Sequence, residues 1–201
     1  MSRLLSFLAP LLALGAAGCG DCVPVSLTAD ERAWVSAYQP GQHLTFRGNR
    51  GSTNVFTVQP LKEWHDNQNC NPVESGNYQP IRSTLVLTPA TSYGGNQDAS
   101  FALLAYKTSP NYPAQLTFNL AGLLCQATDP PGAPNPRLVK LVPEPLTVAG
   151  RSYPQAQRIR TGENGTIHMG TTQLRAAWWD HQAGLLRYEL ASGEVFELVG
   201  Q

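Results

Sequence analysis

Charge is scarce in this chain. Asp, Glu, Lys and Arg make up 14% of its 201 residues, and acids and bases balance at 14 each. Without a basic excess there is no electrostatic footprint for nucleic acid or an anionic membrane face. Histidine is scarcer still, with His43, His65, His168 and His181 in all. Neither an HExxH pair nor a GxSxG elbow occurs, so the sequence signatures of zinc peptidases and α/β-hydrolases are missing. There is no internal repeat, and no amphipathic stretch is long enough to form an interaction stalk. What the chain does have is Gly (18) and Pro (16), a balance that suits a β-rich domain with many turns. With 42% hydrophobic residues it is too apolar for wholesale disorder.

The first residues have their own order. Arg3 precedes an apolar run from Leu4 to Leu14, small residues follow at Gly15-Ala16-Ala17-Gly18, and then comes Cys19. Basic n-region, short h-region and small-residue cleavage site make an export signal. The h-region is too short for a permanent membrane span. A Cys directly after the small residues resembles bacterial lipoprotein signals, in which cleavage precedes a Cys whose thiol carries a diacylglycerol. Ala16 stands where those signals usually have Leu. The expectation is a signal peptide over 1–18, an acylated Cys19, a short membrane leash over 19–27 and one β-rich domain over 28–201. Gly20, rather than Asp, follows the Cys, which favours the outer membrane over the inner. Removing Arg3 with the signal leaves 13 basic against 14 acidic side chains, a near-neutral mature chain.

Export permits disulfides. The cysteines are Cys19, Cys22, Cys70 and Cys125. Cys19-Gly-Asp-Cys22 has CxxC spacing, but it sits at the processing site with no second CxxC and no clustered His, so it is read as neither a redox nor a metal site. Acylation of Cys19 leaves three thiols. One disulfide is expected, with Cys70 a member and Cys22 or Cys125 as its partner.

Along the chain, Thr28-Ala-Asp-Glu31 is a capping box that opens a short helix over about 29–38. Trp34 and Tyr38 share its face at i, i+4 and dock it. The period then switches to two. Leu44 and Phe46, a turn at 48–51 and Val55–Val58 form a hairpin. Residues 60–80 are polar and turn-rich and read as a loop. Strands follow over 81–87, 101–106 and 116–120, with a loop over 89–99. The Pro-rich stretch 129–136 cannot be regular structure and reads as a surface connection. Ala149-Gly150 marks a tight hairpin between Leu146–Val148 and Arg151–Tyr153. Strands at about 155–160, 172–179, 184–190 and 194–199 complete a mainly β fold, with nine to ten antiparallel strands in a curved sheet, sandwich or open barrel.

Candidates for chemistry are few. Trp64-His65-Asp66 sets a His beside a carboxylate, but neighbours on an extended chain point opposite ways, and the triplet reads as a surface loop. Asp180-His181 and Asn164-Gly165-Thr166 read as turns. Arg158 and Arg160 share a strand face, with Arg151 on the preceding hairpin. Such a set can hold an anionic group, or it can be a solvated face balanced by Glu163. Trp178-Trp179 places one indole on each face of a sheet and reads as core. No catalytic residue, metal set or cofactor is assigned.

The opening from Cys22 through Val-Pro-Val-Ser-Leu-Thr-Ala-Asp-Glu-Arg-Ala to Trp34, with Tyr38, Gly41 and Leu44-Thr-Phe46, resembles a recurring start among small uncharacterised β-rich lipoproteins of the Bacteroidota. The hairpin at 146–153 and the close Trp178-Trp-Asp-His-Gln-Ala-Gly184-Leu-Leu-Arg-Tyr188-Glu189 with Gly193-Glu194 are similar to theirs. The resemblance rests on caps, turns and apolar strand positions. It implies a β-rich envelope lipoprotein and supplies no catalytic residues. It also favours Cys22 over Cys125 as the partner of Cys70. That bond would cut the leash from about nine residues, ~30 Å, to Gly20 and Asp21, ~10 Å. The function expected is a non-enzymatic binding or structural module, joined to the membrane by its N-terminal lipid, with no nucleic-acid partner. Its rivals are a carrier holding an apolar ligand or lipid in the concave face of the sheet and, last, an envelope hydrolase.

Overall fold

Alternating burial along the chain leaves one face of several long strands inside. Ile81–Pro89 and Phe101–Lys107 alternate buried and half-buried from end to end. The computed structural model describes residues 22–71, 73, 76–91, 94–95, 100–128, 139–141, 143–163, 166–168 and 171–200. The signal segment 1–18, Cys19 with Gly20 and Asp21, the Pro-rich stretch 129–136 and Asn164-Gly165 lie outside these residues.

In chain order the elements are β1 (Val23–Pro24), α1 (Ala29–Ala33), β2 (His43–Gly48), β3 (Thr53–Val58), β4 (Lys62–His65), β5 (Tyr78–Gln79), β6 (Ile81–Pro89), β7 (Gly94–Gly95), β8 (Phe101–Lys107), β9 (Gln115–Leu120), β10 (Leu123–Thr128), β11 (Val139–Lys140), β12 (Leu146–Val148), β13 (Arg151–Tyr153), β14 (Gln157–Arg160), β15 (Ile167–His168), β16 (Thr171–Thr172), β17 (Leu174–Asp180), β18 (Gly184–Leu190) and β19 (Val195–Gly200). The main sheet runs β11-β10-β9-β8-β6-β3-β2-β19-β18-β17-β14, with β4 added to β6 and β15 to β10. It is antiparallel except for β10–β11. β2 lies beside β19, so the first long strand and the last meet in mid-sheet.

The sheet curls until distant strands touch, nearly closing as a barrel. Phe101 of β8 packs on Tyr188 of β18 at 5.6 Å between ring centroids, although four strands separate them along the sheet. Phe118 of β9 meets Trp179 of β17 at 5.8 Å. Phe46, Phe56, Phe101, Phe118, Tyr188, Phe196 and Trp179 are all at most 2% exposed. They fill the interior ring against ring, in the edge-on and offset contacts that aromatic quadrupoles favour. One core cluster takes residues from both sides of the 129–136 stretch, including Phe118 and Trp179.

The mainly β, curved-sheet expectation holds, and several details change. The helix spans Ala29–Ala33 rather than 29–38. Trp34 is its C-cap, and Val35 and Tyr38 are buried beyond its end. Residues 60–80 are not all loop: β4 pairs with β6, Trp64 opposite Arg82. Its apolar residues point outward, so the strand lacks a buried face to signal it. β10 went unread between Leu120 and the prolines. The turn Ala121-Gly122, with φ of 48° and 88°, brings it antiparallel to β9.

Cys22 and Cys70 are disulfide-bonded, with Cα atoms 5.7 Å apart at a sequence separation of 48, within the usual span for a bridge. β1 pairs with β5, Val25 is fully buried and Leu27 is 7% exposed. Residues 22–27, expected as part of a leash over 19–27, are instead tied into the folded body. Cys125, on β10, is buried, and burial pushes its thiol up to about 11.

Candidate functional site

Two grooves meet at the barrel end where the helix docks. The larger, of about 710 Å³, is lined by the helix start, the 110–113 loop and the Gln155–Gln157 segment, with Trp34, Lys107 and His181. The smaller, of about 300 Å³, lies along Arg151–Pro154 and Asp180–Ala183. Gln155 and His181 line both.

The floor follows from the capping box. Thr28 Oγ1 accepts from the Glu31 amide at 3.2 Å, and Glu31 Oε2 accepts from the Thr28 amide at 2.8 Å. The same carboxylate is 7% exposed. It also accepts from Lys107 Nζ at 2.8 and 3.1 Å and from the Ala114 amide at 2.8 Å. One glutamate thus caps the helix, neutralises a buried lysine at the end of β8 and pins the 110–113 loop. Burial alone would raise its pKa. The hydrogen bonds from Lys107, Thr28 and Ala114 and the Lys107 charge outweigh that and hold the carboxyl below its ordinary value. The two charges are matched, and the Glu31 carboxylate receives four hydrogen bonds, as a buried ion requires.

The wall beside this pair is aromatic. Trp34, 4% exposed, stands edge-on to Phe118 at 6.0 Å and lies 5.8 Å from the His181 ring. Tyr38 donates to the Leu185 carbonyl at 3.3 Å, and burial pushes its phenol far up. It packs flush on Gly184, where a Cβ would overlap its ring, and Gly184 has a φ of 75° besides. At the rim, Tyr112 is 48% exposed, held between Pro110 and Pro113. Each proline fixes φ, and the Tyr112 amide bonds the Ser109 carbonyl at 3.3 Å.

One groove atom is unmatched. Gln157, 4% exposed, donates Nε2 to the Gln155 carbonyl at 2.9 Å, while its Oε1 is buried and has no hydrogen-bond partner. An orphaned buried acceptor costs about 1–3 kcal/mol, and in a native fold it asks for a reason.

The sequence candidates lie elsewhere or are separated. Arg158 pairs with Glu144 at 2.8 Å and Glu163 at 2.9 Å. Arg160 reaches Glu163 at 3.8 Å and Glu189 at 3.9 Å. They belong to a ladder across β14, β17, β18 and β19 that continues through Arg175–Glu189 and Arg187–Glu197. Arg151 shares no partner with them. It lies over the Tyr153 ring at 5.2 Å and lines the smaller groove. Trp178 is buried beneath Arg187 and donates Nε1 to Glu144 at 3.0 Å, and Trp179 is fully buried. In the Trp64-His65-Asp66 triplet, His65 Nε2 bonds the Val25 carbonyl at 3.0 Å while Asp66 takes Arg82 and the Trp64 indole. No His–carboxylate dyad forms there. Asp180 Oδ1 accepts from the Gln182 and Ala183 amides at 2.9 Å, a turn as read.

Sequence reasoning missed Tyr112, Gln155 and Gln157, and it took His181 only as a turn residue. They come from three separate segments, so no spacing joins them. The Pro-Asn-Tyr-Pro run at 110–113 was the one local signal. Among the described residues no group of three His, Cys, Asp or Glu is placed to hold a metal, and no helix is long and apolar enough to cross a membrane. No known protein family, curated protein or solved structure matches the chain.

Proposed function

We propose that this chain is an envelope lipoprotein, anchored through an acylated Cys19, that acts as a non-enzymatic binding module facing the periplasm. The observation that carries the binding role is the contrast between a barrel interior filled by aromatic rings and an open groove at its end. A carrier of apolar ligands needs an empty apolar interior, whereas rings at most 2% exposed occupy this one. A hydrolase needs convergent groups placed to trade protons; the groove's buried carboxylate, Glu31, is instead tied up by the Thr28 and Ala114 amides and Lys107.

The anchor is supported by the signal-like order of residues 3–19 and by the resemblance to Bacteroidota lipoproteins. The Cys22–Cys70 clamp gives the anchor its consequence. Only Gly20 and Asp21 separate the acylated residue from the clamped body, a leash of about 10 Å at most. The module works close against its bilayer, and Gly20 after the Cys favours the outer membrane. Two or three acyl chains bury dozens of methylenes at about 0.8 kcal/mol each, so anchoring is lasting.

Membrane fractionation of wild type and Cys19→Ser tests the anchor. The Ser variant is expected in the soluble fraction, and a Ser variant that partitions like wild type overturns it. Native mass spectrometry of the extracted protein tests the binding role in the same preparation. A retained non-covalent ligand beside an intact disulfide supports it, and turnover of an added ester or peptide substrate overturns the non-enzymatic reading.

A further inference from the structure

We infer that one outer face of the sheet, the row Trp64, Arg82 and Tyr106 with Lys62 beside it, lies in the headgroup layer of the phospholipid bilayer to which the chain is anchored. The inference rests on the anchored-lipoprotein reading and names the surface that meets the membrane.

Strand pairing builds the row. Trp64 of β4 stands opposite Arg82 of β6, and Arg82 stands opposite Tyr106 of β8. Residues paired in register share a face. Their neighbours Ile81, Ser83, Ala105 and Lys107 are buried, so Arg82 and Tyr106 point away from the core. Lys62 lies two residues from Trp64 on the same exposed strand and shares its face. Trp64 is 42% exposed, while Trp34, Trp178 and Trp179 are buried. Each member of the row has an apolar body and a polar tip. Trp and Tyr of that kind gather at membrane–water interfaces, and Lys and Arg there meet lipid phosphates.

The charges of this face suit the same partner. Asp66 accepts from Arg82 Nε at 2.5 Å and from the Trp64 indole at 3.2 Å. Glu63 turns to Arg32 of the helix at 2.6 Å. The Arg82 guanidinium lies over the Tyr106 ring at 4.2 Å, and Lys62 adds an exposed cation. The outer face of β14, β17, β18 and β19 is instead laced with Glu163, Glu189 and Glu197, carboxylates that an anionic headgroup layer repels.

The anchor brings this end of the sheet to the bilayer. Gly20 and Asp21 are all that separate an acylated Cys19 from Cys22, which is bonded to Cys70. β1 follows Cys22 directly and pairs with β5, Pro24 opposite Gln79. Arg82 comes three residues after Gln79, and His65, next to Trp64, bonds the Val25 carbonyl at 3.0 Å. The row therefore begins within about 20 Å of the disulfide, on a body whose leash is about 10 Å at most. Val23 and Val73, on the two segments the disulfide joins, are exposed as well.

The test fixes the tether chemically. A chain beginning at Cys19 retains every described residue, and its fold is verified by a cooperative urea transition. With Cys22 and Cys70 bonded and Cys125 buried, the Cys19 thiol is left for coupling to a maleimide lipid. The vesicles are phosphatidylcholine with a minor share of phosphatidylglycerol. Tryptophan emission is read with and without phosphatidylcholine brominated near the top of its acyl chains. Bromine quenches at contact range, so the buried Trp34, Trp178 and Trp179 are shielded. The emission of Trp64, taken as the difference between wild type and Trp64→Phe, should fall about twofold, as for an indole at the interface. A tryptophan introduced by Arg175→Trp into the Trp64→Phe chain, on β17 five strands along the sheet from β6, should keep its emission. An unquenched Trp64 overturns the inference, and so does equal quenching at the two positions. A blue shift of Trp64 that grows with protein concentration in the absence of vesicles assigns the face to a second copy and overturns it too. The coupled tether makes these outcomes independent of acylation in the cell. An unquenched Trp64 leaves the anchor standing, whereas a Cys19→Ser chain that fractionates like wild type removes the anchor and leaves the quenching result readable.

Discussion

The arginine ladder on the barrel wall and the groove at the barrel end are both polar, and they are satisfied in opposite ways. On the wall, each guanidinium of Arg158, Arg160, Arg175 and Arg187 meets a carboxylate, and the partners stay partly in water. In the groove, the one ion pair is withdrawn from water, and a neighbouring amide oxygen is left without a donor. The difference teaches that a run of like charges read along one strand marks a site poorly when the next strand supplies the opposite sign. Orphaned atoms do not separate the two regions, since Arg160 Nε and Arg187 Nε on the ladder are buried without a partner as Gln157 Oε1 is; the withdrawal of the ion pair from water does.

The comparison predicts unequal costs. Lys107→Met leaves Glu31 ionised and buried without its partner, and should cost about 3–5 kcal/mol in urea unfolding. The pair also sets an acid limb. Glu31 has a depressed folded-state pKa, so its contribution is complete above the ordinary carboxylate value of 4.5 and is lost as the pH falls through the lower folded value. Glu31→Gln should flatten that limb, and an unchanged limb would mean the pair stabilises little. Trp34→Ala should cost about 3–5 kcal/mol, because the indole is buried against Phe118 and no helix of one or two turns holds itself. A cost below about 1 kcal/mol would mean the helix is not held by this contact.

Smaller effects follow at the clamp and on the wall. Cys70→Ser opens a bridge spanning 48 residues and should cost about 2–4 kcal/mol. It should also raise proteolysis of residues 22–27. Arg158→Ala breaks pairs that water already screens, and should cost below about 1 kcal/mol with a further loss at high salt. A cost as large as that of Lys107→Met would erase the contrast between the two regions.

How much of this was legible in the sequence varies with how local the cause is. The capping box Thr28–Glu31 and the Ala149-Gly150 turn are written within four residues, and both form as read. Alternation exposed β2, β3, β6, β9 and β18, and a run apolar on both faces exposed β8. β4 stayed hidden because its residues are exposed or half-exposed throughout. β10 stayed hidden although Ala121-Gly122 repeats the dipeptide recognised at 149–150. The helix stops early because Val35 and Tyr38 are buried through bends rather than along a helical stripe. The groove is the least local feature. Glu31 was visible as a cap, but its bonds to Lys107 and Ala114 span 76 and 83 residues. The partners of Tyr112 in the groove lie on segments that only the curled sheet brings together.

The most direct test of the account compares urea unfolding of wild type, Lys107→Met and Arg158→Ala. The account predicts a loss of about 3–5 kcal/mol for Lys107→Met and of less than about 1 kcal/mol for Arg158→Ala. Equal losses in the two variants would contradict it.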